Sequence, residues 1–154
     1  MKQDQKPRPR QLTSFVTFRL ARLQASLNAQ ATAILKANSG LSLVEWRILQ
    51  TLEWFEFNTL KQLSDITEID KGQLSRKIAS MVDKGLLQQT PDEMDKRVQH
   101  LNLTQRARDI CAKAMPIMQA RQDHLLKDVS KDDLEVFYKV IDKLEAASKS
   151  REIP

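Results

Sequence analysis

Apolar residues return every three or four positions along most of this chain, and glycine is scarce, with three in 154 residues. Steps of three and four gather side chains on one face of an α-helix, whereas a strand needs alternation. Alternating runs are few. The pattern predicts a mainly α protein whose turns are marked by its rare glycines and by capping residues.

Leu12, Phe15, Val16, Leu20, Leu23, Leu27, Ala31 and Ile34 form one long stripe, which "ANSG" ends with Gly40 as the stop. Ser42 with Glu45 fits a capping box, in which each satisfies a backbone donor at a helix start. The helix it opens has Leu43, Trp46, Leu49 and Leu52 on one side. Thr59 with Gln62 opens a short helix bearing Leu60, Leu63 and Ile66, and "TEID" turns the chain. Asp70 caps "KGQLSRKIASMVDK", which stops at Gly85. Leu74, Ile78, Met81 and Val82 share one face of that helix, and Gln73, Arg76, Lys77 and Ser80 are predicted on the opposite face.

A hairpin follows, with "LLQQT" and "VQHLNL" around the polar turn "PDEMDKR". Val98 is out of phase with Leu101 and Leu103. Thr104 opens a long helix to about Val129, which Pro116 should kink or interrupt. Ser130 and Asp133 open a last helix striped by Leu134, Phe137, Ile141 and Leu144.

Hydrophobic residues make up 41% and charged residues 29%, the balance of a soluble globular domain. One cysteine, Cys111, excludes an internal disulfide and is expected to be a buried small apolar residue. His100 and His124 lie far apart, so no metal-ligand spacing exists, and no glycine-rich phosphate loop is present. The carboxylates are scattered on polar faces and expected to be solvated. No enzyme, cofactor or metal is expected. No apolar run approaches a membrane span, and "MKQDQKPRPR" lacks the apolar segment of a secretory signal, so a cytoplasmic protein is expected.

The formal net charge of +5 suits a polyanion. The first residues contain Lys2, Lys6, Arg8 and Arg10 against Asp4 alone, a flexible basic arm over 1–11. A short helix, a turn and a second helix make a helix-turn-helix. Arg76 can donate two parallel hydrogen bonds to guanine, Gln73 can pair with adenine, and Lys71, Ser75, Lys77 and Ser80 suit phosphates or either base type. Two short helices and a turn also occur in many bundles, and any surface helix is polar outside. The hairpin shifts the balance, because a two-stranded ribbon after a reading helix makes a winged helix-turn-helix. Its tip would lie at a minor groove, whose negative potential draws in an arginine. Arg97 is then the groove residue, Asp95 a carboxylate that could accept hydrogen bonds from it and hold its direction, and Lys96 a phosphate contact.

"DKRVQHLNLT" resembles the wing signature of the MarR family of bacterial transcriptional regulators, an Asp-x-Arg followed by an L-x-L-T step, matched at Asp95, Arg97, Leu101, Leu103 and Thr104. "DKGQLSRKIASMVDKGLL" resembles the family's recognition helix, and "LSLVEWRILQTL" its second helix. The resemblance implies a winged helix-turn-helix lobe over 42–104 and a helical dimerisation region from 12–38 and 105–150. It implies a homodimeric repressor, less often an activator, that binds double-stranded DNA and that in many members a small aromatic or phenolic ligand releases. An aromatic wall and a cation would suit an aromatic carboxylate or an acyl-CoA effector. Arg19 and Trp46 are the candidates for lining an effector pocket, each with an ordinary alternative as surface pair or core residue. The family's peroxide-sensing branch carries its cysteine in the first-helix region, where this chain has none. The rival function is a winged-helix protein-interaction module, which would need apolar anchors on the outer face of helix 71–84.

Overall fold

The computed structural model describes residues 14–55, 58–67 and 69–150. The basic arm and Leu12 lie outside them. Among the described residues there are six helices and one antiparallel hairpin: α1 (Val16–Asn38), α2 (Leu43–Trp54), α3 (Leu60–Thr67), α4 (Lys71–Asp83), β1 (Leu87–Pro91), β2 (Gln99–Leu103), α5 (Gln105–Leu126) and α6 (Lys131–Lys149). None of these helices is long and apolar enough to cross a membrane. The chain divides into two compact units at Pro116.

In the first unit α2, α3 and α4 each begin at the cap their sequence supplies, whereas Phe15 at the start of α1 makes no side-chain cap bond. Ser42 and Glu45 form the complete capping box of α2. Gln62 Oε1 accepts from the amides of Asn58 and Thr59, and Thr59 Oγ1 accepts from the amide of Gln62, which fastens the start of α3. Asp70 Oδ1 accepts from the amides of Gly72 and Gln73 at 2.9 and 3.1 Å. The α4 helix ends at Gly85, whose φ of 69° suits a residue without a Cβ. There the Leu86 amide donates to Met81 O, satisfying a carbonyl the helix would otherwise leave open.

The core gathers Ala31 and Leu35 of α1, Trp46, Ile48 and Leu49 of α2, Leu63 of α3, and Leu74, Ile78 and Met81 of α4. Leu87, Leu101, Leu103, Ala107, Cys111 and Ala114 close it from the hairpin and the first half of α5. Burying that many aliphatic side chains, at about 1.5–3 kcal/mol each, is what fixes α4 against α2 and α3. Leu87 pairs with Leu103 and Gln89 with Leu101, so the hairpin presents leucines inward. Val98 belongs to the turn rather than to β2, which removes its phase conflict. The sheet gains a third edge where Thr59 bridges to His100 and the Leu101 amide donates to Asn58 O at 2.7 Å.

Thr104 joins two elements. Its hydroxyl donates to Gly85 O at 2.7 Å and accepts from the amide of Ala107 at 3.2 Å. Arg106 Nη1 donates to Lys84 O one position away. The α5 helix then runs unbroken through Pro116, against the expected interruption. Pro116 and Ala112, the residue whose carbonyl it leaves without a donor, are both exposed.

In the second unit, Ser130 Oγ accepts from the amide of Asp133 and opens α6. No residue of α6 is buried. Its stripe of Leu134, Phe137, Ile141 and Leu144 is present as expected, but Phe137 is 45% exposed and Leu144 37%. On α1, Val16 and Leu23 are exposed too, as is Phe15 at its cap, so only the C-terminal third of the α1 stripe is buried within the chain.

Candidate nucleic-acid interface

The α4 helix turns Leu74, Ile78 and Met81 into the core, and with 3.6 residues per turn the opposite side holds Gln73 and Arg76, both exposed. Lys71 and Ser75 are exposed on one flank, and Ser80 is half-buried. Lys77 does not share the outer face with them. It follows Leu74 by three residues and precedes Met81 by four, which sets it at the edge of the buried stripe. Its Nζ lies 3.9 Å from Glu45 Oε1. The exposed reading face is therefore Gln73 and Arg76, with Lys71, Ser75 and Ser80 beside them and Lys77 turned inward.

Glu45 corrects a second expectation, that every carboxylate is solvated. It is 2% exposed. One oxygen accepts from the Ser42 amide at 2.8 Å, and the other accepts from Lys84 Nζ at 2.6 Å. Burial pushes its pKa up, but the Lys84 ammonium and the Ser42 amide and hydroxyl outweigh burial, and the carboxyl ends below its ordinary range. The signal was in the spacing, since Leu41, Glu45 and Leu49 fall four apart on one buried line.

The wing tip is built from aspartates that accept backbone amides. Asp92 Oδ1 takes those of Met94 and Asp95 at 2.8 and 2.9 Å. Asp95 Oδ1 takes the amide of Arg97 at 3.0 Å. Asp95 thus orients Arg97 through its main chain, where a contact to the guanidinium was expected. Such Asx turns hold tight loops in place of secondary structure. Lys96 and Arg97 are exposed at the end of this scaffold.

His100, Asp92 and Asn58 were not singled out as a site by the sequence. His100 Nε2 lies 2.8 Å from Asp92 Oδ2, and its Nδ1 lies 2.9 Å from Asn58 Oδ1. The His100 bond and the two tip amides hold the Asp92 carboxyl down at about 2. Hairpin register could have paired His100 with the turn eight residues earlier, but nothing local in sequence ties Asn58 to it.

The effector candidates are not brought together. Arg19 lines an open groove of about 290 Å³ with Phe18, Arg22 and Leu23 of the same helix, where the Arg22 guanidinium sits 5.9 Å from the Phe18 ring centre. Trp46 is in the core and does not line that groove. Cys111 is buried, as expected, and burial pushes its thiol up. Among the described residues no group of three His, Cys, Asp or Glu could hold a metal ion.

A helix-turn-helix with an exposed polar reading face and an adjoining hairpin with a basic tip define a winged helix-turn-helix protein. Residues 39–98, from the end of α1 into the wing, match the model of the MarR family. Similar solved structures extend the likeness over most of the chain. A MarR/EmrR family transcriptional regulator from Acinetobacter sp. ADP1 is 22% identical with a TM-score of 0.79, over 86% of this chain and 93% of that one. The M. tuberculosis regulator MosR, solved in complex with DNA, is 21% identical with a TM-score of 0.74, over 90% and 99%. The Streptomyces coelicolor regulator PcaV, solved with its natural ligand, is 15% identical with a TM-score of 0.76, over 92% and 99%.

Proposed function

We propose that this chain is a DNA-binding transcriptional regulator, a ligand-responsive repressor that grips a pseudo-palindromic operator as a homodimer in the cytoplasm. The observation that carries the reading is the α4 face of Gln73 and Arg76, exposed beside a wing whose tip presents Lys96 and Arg97. Helix side chains can read base edges in a major groove while the tip reaches backbone and minor groove. The rival interaction module would need apolar anchors on the outer side of α4, where Gln73, Arg76 and Asp83 stand instead. The net charge of +5 favours the same partner.

Dimerisation follows from what the chain leaves uncovered. The α6 stripe has no buried residue, and Phe15, Val16 and Leu23 are exposed at the start of α1. Exposed apolar stripes on two long helices mark an association surface. The lobe over 42–104 then holds the DNA, and 12–38 with 105–150 join the protomers. MosR was solved with DNA and PcaV with a ligand, which fits a repressor whose effector shifts it to a weakly binding state. An anionic aromatic effector would suit Arg19.

The test is selection of duplexes from a random library, followed by footprinting and a salt titration. Two half-sites roughly 10 base pairs apart and a steep loss of affinity with salt are expected. A single half-site, or binding indifferent to salt, would overturn the reading.

A further inference from the structure

We propose that His100 is the positioning residue of the wing, the link through which the start of α3 sets the tip that presents Arg97. The inference rests on the DNA-binding reading above and concerns a histidine that reading does not use.

The bonds run in one continuous series. Gln62 Oε1 accepts from the amide of Asn58 and holds it to the first turn of α3. The Asn58 side chain meets His100 Nδ1 at 2.9 Å, and the Asn58 carbonyl accepts from the Leu101 amide at 2.7 Å. His100 Nε2 meets Asp92 Oδ2 at 2.8 Å. The other Asp92 oxygen accepts from the amides of Met94 and Asp95, and Asp95 in turn accepts from the amide of Arg97. Each step joins a more exposed part of the wing to a better anchored one. Without His100, the tip turn keeps only its internal bonds and the two strands beneath it, and a two-stranded hairpin alone holds its shape poorly in water.

The imidazole suits this place because its two nitrogens point in different directions, one at Asn58 and the other at Asp92. Asn58 and Thr59 from the loop, Thr90 from the paired strand and Asp92 from the turn face His100. Of these only Asp92 is charged. Its carboxylate makes the bond to His100 a charge-assisted one.

The experiment uses the full-length protein and the duplex it selects from a random library. Operator affinity is measured for wild type, His100→Ala, Arg97→Ala and the double variant at one salt concentration, with circular dichroism and sedimentation to check fold and assembly. His100→Ala should lose about tenfold in affinity, and should add little once Arg97 is gone. Asp92→Ala also serves if His100→Ala fails to fold, since it removes the acceptor of both His100 and the tip amides, and it should weaken binding in the same direction. Additive losses, or unchanged affinity in both single variants at His100 and Asp92, would overturn the inference while the functional reading stands. A wild-type protein that selects no duplex would overturn the functional reading itself, and this inference with it.

Discussion

Lys84 Nζ lies 2.6 Å from Glu45 Oε1, and this bond ties the end of α4 to the first turn of α2. Glu45 is sequestered in the core while Lys84 reaches it from the surface. The glutamate also closes its own helix's capping box, so one side chain serves two elements. Glu45→Gln keeps an acceptor for the Ser42 amide but removes the charge, and should cost roughly 1–2 kcal/mol. Glu45→Ala removes the cap too and should cost roughly 2–3 kcal/mol. Urea unfolding measures both, and a Glu45→Gln protein as stable as wild type would mean the Lys84 bond contributes nothing.

Acid should unfold the protein partly through two carboxyls. Glu45 and Asp92 both have folded pKa values below their ordinary ones, Asp92 falling from 3.8 to about 2. A depressed carboxyl stabilises the fold fully above its unfolded pKa and loses that contribution as pH falls through the folded one. The loss from Asp92 therefore lies between about pH 4 and pH 2, with Glu45 adding to it from just below 4.5. Denaturation midpoints across this range should fall less steeply in Asp92→Asn and in Glu45→Gln.

Arg76→Ala should lose discrimination at particular base pairs, at about 1–3 kcal/mol for the affected position. Its place on the exposed side of α4, opposite Leu74 and Ile78, motivates this. Binding to a panel of single-base operator variants decides the matter. Equal weakening on every duplex would make Arg76 a phosphate contact.

Arg97→Ala should weaken operator binding and leave the dimer folded, because its exposed side chain contributes little to the core. Changing the flanking base pairs to G·C should hurt the wild type more than the variant, since the guanine amino group and a wider groove oppose insertion. Affinities for the four combinations at fixed salt give the coupling. Strict additivity would leave the wing a generic electrostatic contact.

Phe137→Asp puts a charge into the unburied stripe of α6. It should convert the dimer to monomer in sedimentation and abolish tight operator binding, with the winged lobe still folded. A variant that remains dimeric would assign that stripe no part in association.

Capping chemistry was legible throughout, because Ser42, Thr59, Asp70, Thr104 and Ser130 each act on backbone within three residues of themselves. The hairpin was legible for the same reason, since its turn is local. Lys77 was misplaced because a helical wheel assigns faces by polarity, and a lysine at the edge of a stripe goes wherever a carboxylate waits. That carboxylate, Glu45, lies 32 residues earlier in another helix. The link from Asn58 to His100 spans 42 residues and leaves no periodic trace. The stripe of α6 was legible, but a stripe states that a face is apolar, and not which chain covers it.

The joint at Thr104 has a mechanical consequence. Lys84 O and Gly85 O, the two carbonyls that follow α4, are both grasped by the opening turn of α5, through Arg106 and Thr104. A rotation of that turn cannot be absorbed between the two elements, because the hydrogen bonds span no intervening slack. The helix that would sit in the groove and the first half of α5 are thus joined at their ends, so that in the dimer proposed above a twist applied to α5 would be passed to the helix that carries Arg76.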